Sequence, residues 1–340
     1  MNYHIVTYGC QMNLHESEKI AGILRSVGYE KEVPLEEADI IVFNTCCIRE
    51  NAENHAFGNI GALKKLKRQK KGLIIAVGGC MAQEPGKVKV LQEKFPFIDI
   101  IFGTHNLAEL ASLIERKKSE KRVVSLYEDR RETEGGAQPC RTSYPNAWVN
   151  ITYGCNNFCT YCIVPYVRGR EKSRSASVIL DEVRGLVEEG YKEITLLGQN
   201  VNSYRDGDVD FPALLDMVAS VEGNFRLRFM TSHPKDFSAR LVAVMKKHDK
   251  ILNLLHLPAQ SGSTRILRLM NRRYTREEYL EKVALLKREI PEAEITTDLI
   301  VAFPTETEEE FEETLSLVKE ADFASAFTFI YSPRTGTEAA

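Results

Sequence analysis

Four runs in the first 125 residues are almost wholly apolar: YHIVTYG, ADIIVFNT, GLIIAVGG and FIDIIFG. They are short and β-branched, and they end in Gly or Asn/Thr turn residues, which is the pattern of buried strands. Between them lie segments with helical spacing, near Ser17–Ser26, Asn51–Gln69, Pro85–Lys94 and Leu107–Lys117. Strand–helix alternation with continuously apolar strands predicts a parallel sheet covered on both faces. The next stretch, EDRRETEGGAQPCRTSYPN (Glu128–Asn146), has no apolar period and reads as a linker. Six further strands are predicted near Ala147–Thr152, Glu193–Leu197, Leu227–Met230, Leu252–His256, Ile295–Val301 and Ala326–Tyr331. Helices such as Ala176–Glu189 and Thr307–Ala321 separate them. The fold class is therefore α/β: an N-terminal parallel-sheet domain over 1–127, a linker over 128–146, and a six-stranded partial (βα) barrel over 147–340.

The 340 residues carry 43% hydrophobic and 27% charged side chains, enough for two cores and a solvated surface. A net charge of −3 does not mark a bulk nucleic-acid binder. No stretch reaches the roughly 18–20 apolar residues of a membrane span. MNYHIVTYGC lacks the basic and apolar regions of a signal peptide, so a cytoplasmic protein is expected.

The eight cysteines sharpen the picture. They are too sparse for a disulfide scaffold, so metal or redox chemistry is the better reading. Cys10, Cys46 and Cys80 end the first three strands. In a parallel sheet those ends share the edge where open α/β folds bind ligands. Cys47 follows Cys46 directly, and alternation along an extended chain predicts that its side chain points away from that edge. Cys140 stands alone in the linker as an incidental thiol.

The second thiol set is C-x3-C-x2-C at Cys155, Cys159 and Cys162, in a loop after a predicted strand. Three thiols cannot pair as a disulfide without one left over, and tetrahedral zinc would want a fourth ligand, which no following Cys or His supplies within sixty residues. Three thiolates suit a four-iron cluster with one iron left open. Tyr153, Phe158 and Tyr161 flank this loop and are expected to shield it. Polar clusters GQN (Gly198–Asn200), TSHP (Thr231–Pro234), HLPAQSGS (His256–Ser263) and FPTET (Phe303–Thr307) fall at strand ends, the rim where barrels put their sites.

These motifs, with YGCQMN, NTC-x-IRENAE, GGCMAQ, EVRGLVEEGYKEITLLGQNVNSY and LHLPAQSGSTRILRLMNRRYTREEY, resemble the radical S-adenosylmethionine methylthiotransferases over essentially the whole chain. YGCQMN favours the group acting on N6-dimethylallyladenosine in tRNA over the LGCPKN of ribosomal-protein enzymes and the LGCKVN of threonylcarbamoyladenosine enzymes. The resemblance implies a barrel of radical SAM type and two [4Fe-4S] clusters. Cys10, Cys46 and Cys80 would hold an auxiliary cluster, and Cys155, Cys159 and Cys162 the cluster that binds S-adenosylmethionine. Gln199 and Asn200 would contact the methionine moiety.

The implied reaction is methylthiolation of C2 of the modified adenosine at anticodon-loop position 37. A 5′-deoxyadenosyl radical removes the C2 hydrogen, sulfur comes by way of the auxiliary cluster, and a second S-adenosylmethionine gives the methyl. Implied partners are a tRNA anticodon stem-loop and an electron donor such as flavodoxin or ferredoxin, with no membrane, and the enzyme is expected to be a monomer. The alternatives are the two sister methylthiotransferases or a non-catalytic iron–sulfur protein. Basic runs at Lys64–Lys71, Arg168–Arg174 and Asn271–Arg276 are candidates for tracking phosphates. The acidic run Glu306–Glu313 reads as a solvated helix start.

The chain departs from the family pattern in three places. Position 47 is Cys where Ser is usual. VAFPTET replaces the usual Gly-Phe-Pro-Gly, putting side chains at Ala302 and Thr305. The chain stops at YSPRTGTEAA, where members continue through a further helix and an RNA-binding β domain. A truncated chain with apolar residues of the last strand (Phe327, Phe329 and Tyr331) partly uncovered is expected.

Overall fold

The structure, a computed structural model, describes residues 1–47, 50–128 and 138–340. Residues 129–137 of the expected linker lie outside the described residues. The chain divides into two compact units: Met1–Thr142 with Ile163–Arg170, and Ser143–Cys162 with Glu171–Ala340.

The first unit is built on β1 (Asn2–Thr7), β2 (Lys31–Glu32), β3 (Ile40–Thr45), β4 (Ile74–Gly79), β5 (Ile100–Phe102) and β6 (Val123–Ser125). All pair in parallel, in the order β2-β1-β3-β4-β5-β6. The helices are α1 (Gln11–Ser26), α2 (Glu50–Gln69), the single turn α3 (Cys80–Gln83), α4 (Lys87–Lys94) and α5 (Leu110–Lys117). Alternate residues of the central strand feed opposite faces. Ile41 and Phe43 pack with Ile60, Leu63 and Leu91, whereas Ile40 and Val42 pack with Ile20, Leu24 and Leu113. Two buried layers explain why β3 and β4 read as unbroken apolar runs. A further helix, α6 (Val164–Arg168), adds Ile163 and Val167 to the first layer, and the Thr104 hydroxyl donates to the Val167 carbonyl at 2.6 Å.

The second unit starts with β7 (Asn146–Asn150) and the short antiparallel pair β8 (Thr152–Tyr153) and β9 (Lys172–Ser173). There follow α7 (Ala176–Glu188), β10 (Glu193–Leu197), the small hairpin β11 (Arg205–Asp206) and β12 (Val209–Asp210), α8 (Phe211–Ala219), β13 (Arg226–Phe229) and α9 (Ala239–Lys247). The unit ends with β14 (Leu254–His256), α10 (Thr264–Leu269), α11 (Arg276–Glu289), β15 (Glu294–Val301), α12 (Glu308–Ala321) and β16 (Ser325–Ile330).

Six parallel strands lie in two sets, β13-β10-β7 and β14-β15-β16. A parallel bridge between Leu227 and Ile251 links the sets, giving a six-stranded arc. Its core runs from Val149, Leu196 and Leu227 to Leu255, Ile295 and Leu299, backed by helix residues such as Val183, Leu215 and Leu286. Thr275–Glu278 and Thr307–Glu310 form capping boxes that start α11 and α12, each fixing a helix end by about 1 kcal/mol. In β16, Phe327 and Ile330 are exposed, while Tyr331 just after it is half-buried, its ring meeting Phe303 edge-on at 5.2 Å. Ala302 and Thr305 take left-handed backbone, with φ of 55° and 69°. Non-glycine residues pay a steric cost there.

Candidate functional site: two thiol sets and a polar barrel rim

In the first unit the strand registers pair Thr7 with Asn44 and Thr45 with Gly79, so β1, β3 and β4 end level. Cys10 occupies the N-cap position of α1, Cys46 follows β3, and Cys80 opens α3 directly after β4. All three expected thiols thus stand at one sheet edge. Gly79 makes the turn into α3 with φ of +92°, and a Cβ there would lie 2.5 Å from the Thr45 carbonyl. Only glycine lets β4 end this close to β3.

The loops of this edge are tied by side chains that periodicity did not single out. The Asn13 amide donates to the carbonyls of Tyr8 at 2.7 Å and Thr45 at 3.1 Å. The Asn44 amide donates back to the Asn13 carbonyl at 2.8 Å. One asparagine therefore fixes the segments that carry Cys10 and Cys46.

Two features correct the sequence reading. Cys47 does not point away from the edge. It is fully buried and its thiol is hydrogen-bonded with that of Cys80. The chain has left the β3 ladder after Thr45, so strand alternation no longer governs it. Second, Arg168 belongs to the basic run Arg168–Arg174 yet is buried. Its guanidinium donates to the Cys80 sulfur at 3.2 Å, to Asn13 Oδ1 at 2.7 Å and to both Glu16 oxygens at 2.7 and 3.1 Å. The Cys47 hydrogen bond, then the Arg168 charge, hold the Cys80 thiol down to about 7 against its burial.

In the second unit, Cys155, Cys159 and Cys162 lie in the loop after β8. Phe158 within it has φ of 49°. The Asn271 amide holds the loop by donating to the carbonyls of Asn157 at 3.1 Å and Phe158 at 2.9 Å. Thr160 bonds to the carbonyls of Leu269 and Met270 at the end of α10. Arg272, from a second supposed surface run, is likewise buried. It donates to the Cys159 sulfur and the Tyr161 hydroxyl, both at 3.4 Å, and to the Pro258 carbonyl at 2.9 Å. Burial pushes the Cys155 thiol up to about 11. Tyr153 is buried beside the loop, and Tyr161 is half-buried.

Arg174 is also turned inward, to the Asn150 carbonyl at 2.6 Å and Glu182 at 2.8 Å, and Arg276 is paired with Glu320. Glu310, in the run read as a solvated helix start, is buried against Arg265 and Ser263.

The barrel rim carries buried polar atoms with no partner: both amide atoms of Asn150, Thr152 Oγ1, Asn200 Oδ1, Ser232 Oγ, His233 Nε2 and Gln260 Oε1. They lie at or just after the ends of β7, β10, β13 and β14. Buried polar atoms are normally satisfied, so this set is shaped for a polar ligand. Asn200 donates its amide to Asp236 at 2.6 Å while its oxygen is buried without a partner, whereas Gln199 is half-buried. The His233 ring accepts the Lys235 amide on Nδ1 at 3.2 Å, which leaves the proton on Nε2. Burial, with Arg272 and Lys235 nearby, keeps that imidazole neutral.

Among the described residues no three Cys, His, Asp or Glu side chains stand close enough together to hold a metal ion. The fit to iron–sulfur clusters rests on donor chemistry. Each unit offers three thiols on one edge or loop, one of them already bonded to a buried cation. The unpartnered polar atoms of the rim are groups that a polar cofactor could engage.

Two family models match: the radical SAM superfamily over residues 149–318 and the uncharacterized protein family UPF0004 over residues 2–103. The chain is 54% identical to a tRNA-2-methylthio-N(6)-dimethylallyladenosine synthase of Clostridium tetani, covering 99% of this chain and 75% of the relative. The synthase of the same name from Caldicellulosiruptor saccharolyticus is also 54% identical, over 99% and 73%. Among solved structures, the radical S-adenosylmethionine methyltransferase TsrM from Kitasatospora setae aligns with a TM-score of 0.68 at 13% identity, covering 96% of this chain and 73% of that one. The cobalamin-dependent radical enzyme OxsB aligns at 0.64 and 12%, over 99% and 54%. At such identities the structural likeness speaks for the fold alone. Sequence identity over nearly the whole chain decides the family: the chain belongs to the radical SAM superfamily and, within it, to the tRNA-2-methylthio-N(6)-dimethylallyladenosine synthases.

Proposed function

We propose that this protein methylthiolates C2 of N6-dimethylallyladenosine at position 37 of the tRNA anticodon loop. The observation that carries the reading is the presence of two separate three-thiol sets, one at the ends of three parallel strands and one in the loop after β8, in a chain 54% identical to synthases of that name. When bound, the clusters and S-adenosylmethionine supply the one-electron and sulfur chemistry, which is the cofactors' own. The chain supplies position and dryness.

Cys155, Cys159 and Cys162 would hold the cluster used for radical generation, with Arg272 covering the Cys159 sulfur. Cys10, Cys46 and Cys80 would hold the sulfur-inserting one. Asn200, Asn150, Ser232 and His233 present their free polar atoms to the S-adenosylmethionine or to a base that has left the anticodon stack. A one-electron donor such as flavodoxin or ferredoxin completes the system, and the enzyme works in the cytoplasm.

The test is anaerobic reconstitution followed by iron and sulfide analysis, then incubation with S-adenosylmethionine, dithionite and tRNA from a strain lacking the synthase. About eight irons, 5′-deoxyadenosine and 2-methylthio nucleoside are expected. Reconstituted protein that cleaves S-adenosylmethionine but never modifies this tRNA would overturn the substrate assignment.

A further inference from the structure

We propose that Arg168 is a positioning residue of the first thiol set, fixing the Cys80 sulfur and drawing charge from it when an iron–sulfur cluster is bound there. The inference rests on the reading of Cys80 as a cluster ligand.

Arg168 is 5% exposed and all three guanidinium nitrogens are engaged. Nε points at the Cys80 sulfur at 3.2 Å. Nη1 donates to Glu16 Oε1 at 2.7 Å and approaches the Met12 sulfur at 3.0 Å. Nη2 donates to Asn13 Oδ1 at 2.7 Å and Glu16 Oε2 at 3.1 Å. Met12, Asn13 and Glu16 all stand in the first two turns of α1, immediately after Cys10. The fork on Glu16 sets the plane of the guanidinium, and a planar group held at one end delivers its Nε with little freedom.

The bond to Asn13 extends the network. Asn13 is the residue that ties the Tyr8 and Thr45 carbonyls, so one chain of hydrogen bonds runs from Cys80 through Arg168 to the loops of Cys10 and Cys46. A simple buried ion pair with Glu16 would need neither the sulfur contact nor the asparagine. N–H donors to ligand sulfurs hold a cluster's ligands in place and raise its reduction potential.

The full chain carrying Cys155→Ala, Cys159→Ala and Cys162→Ala isolates the first set. This parent should bind about four irons after anaerobic reconstitution. A parent that binds none removes the ligand reading itself, a failure distinct from that of Arg168. On this background Arg168→Lys is compared with Glu16→Gln. Readouts are the midpoint potential by electron paramagnetic resonance, the rate of iron loss to a chelator, and the melting of the cluster-free chain. Lysine keeps the charge but cannot reach Cys80, Glu16 and Asn13 together.

Arg168→Lys should melt close to its parent, shift the potential to more negative values and release iron about tenfold faster. Glu16→Gln, which keeps the Nε donor, should leave the potential near the parent's. The proposal is overturned if Arg168→Lys retains the parent's potential and iron. It is also overturned if Glu16→Gln shifts the potential as far, or if Arg168→Lys melts so much lower without its cluster that folding accounts for the loss.

Discussion

Gly9 precedes Cys10 and has φ of +108°, a backbone that L residues rarely adopt. A Cβ placed there would lie 2.7 Å from the Cys46 Cβ and 2.9 Å from its sulfur. Carbon atoms in contact sit about 3.5–4.0 Å apart, so Cys46 must move by close to an ångström. Gly9→Ala therefore combines a backbone penalty of about 1–2 kcal/mol with an overpacking cost of about 1–3 kcal/mol. A total near 3 kcal/mol is a large share of a domain's stability, and at about 2–4 °C per kcal/mol it lowers the first unit's melting temperature by roughly 10 °C.

The displaced atom is a proposed ligand, so the chemistry suffers with the fold. Metal ligands must stand within about 0.2 Å of their places. Gly9→Ala should lose about half its iron after reconstitution, keep S-adenosylmethionine cleavage and give no methylthiolated nucleoside. Gly58, exposed on α2 with nothing near its missing Cβ, is the control. Gly58→Ala should leave iron unchanged and raise stability by up to about 1 kcal/mol. Full iron and an unchanged melting curve in Gly9→Ala would refute the geometry assigned to this edge.

Other substitutions probe separate parts of the account. Cys47→Ser should retain iron because a hydroxyl still donates to Cys80, whereas Cys47→Ala should load incompletely; iron analysis checks this, and equal loading of the two would break the argument. Glu310→Gln should lower the melting temperature at pH 7, because Arg265 and Ser263 hold the Glu310 carboxyl down to about 2. That carboxylate contributes about 1–2 kcal/mol above pH 4.5, and the contribution fades as pH falls through 2, so the wild-type and Gln melting curves should converge in acid. Ala302→Gly relieves a left-handed residue at φ 55° and should raise stability by up to about 1 kcal/mol in a denaturant titration. A loss of that size would mean that the Ala302 side chain contributes packing there.

The strand–helix alternation was legible because β3 and β4 bury nearly every residue and β15 buries alternate ones, so each leaves a clear apolar pattern. The start of α1 was not. Its inward residues between Gln11 and Glu16 include Asn13, His15 and Glu16, which are buried yet polar, so the apolar period begins only near Ser17. Strands as short as Val123–Ser125 give too few positions for a pattern. The six cysteines proposed as cluster ligands stood out from spacing and strand ends, but the groups around them did not. Arg168 and Arg272 sit in basic runs, and a run of cations reads as solvated surface unless the fold turns one residue inward. The signal that could have found them is their place: Arg168 follows Cys162 by six residues, and Arg272 closes the helix whose end holds the cysteine loop. Cys47 lies beyond the end of β3 at Thr45, where alternation along a strand no longer says which way a side chain points.

The division of labour between the two thiol sets is the central claim, and one chromatogram tests it. Liquid chromatography with mass spectrometry can follow 5′-deoxyadenosine and the 2-methylthio nucleoside together after anaerobic turnover with tRNA. Cys80→Ala should yield 5′-deoxyadenosine without the modified nucleoside, and Cys159→Ala should yield neither. Modified nucleoside from Cys80→Ala, or 5′-deoxyadenosine from Cys159→Ala, would contradict the account.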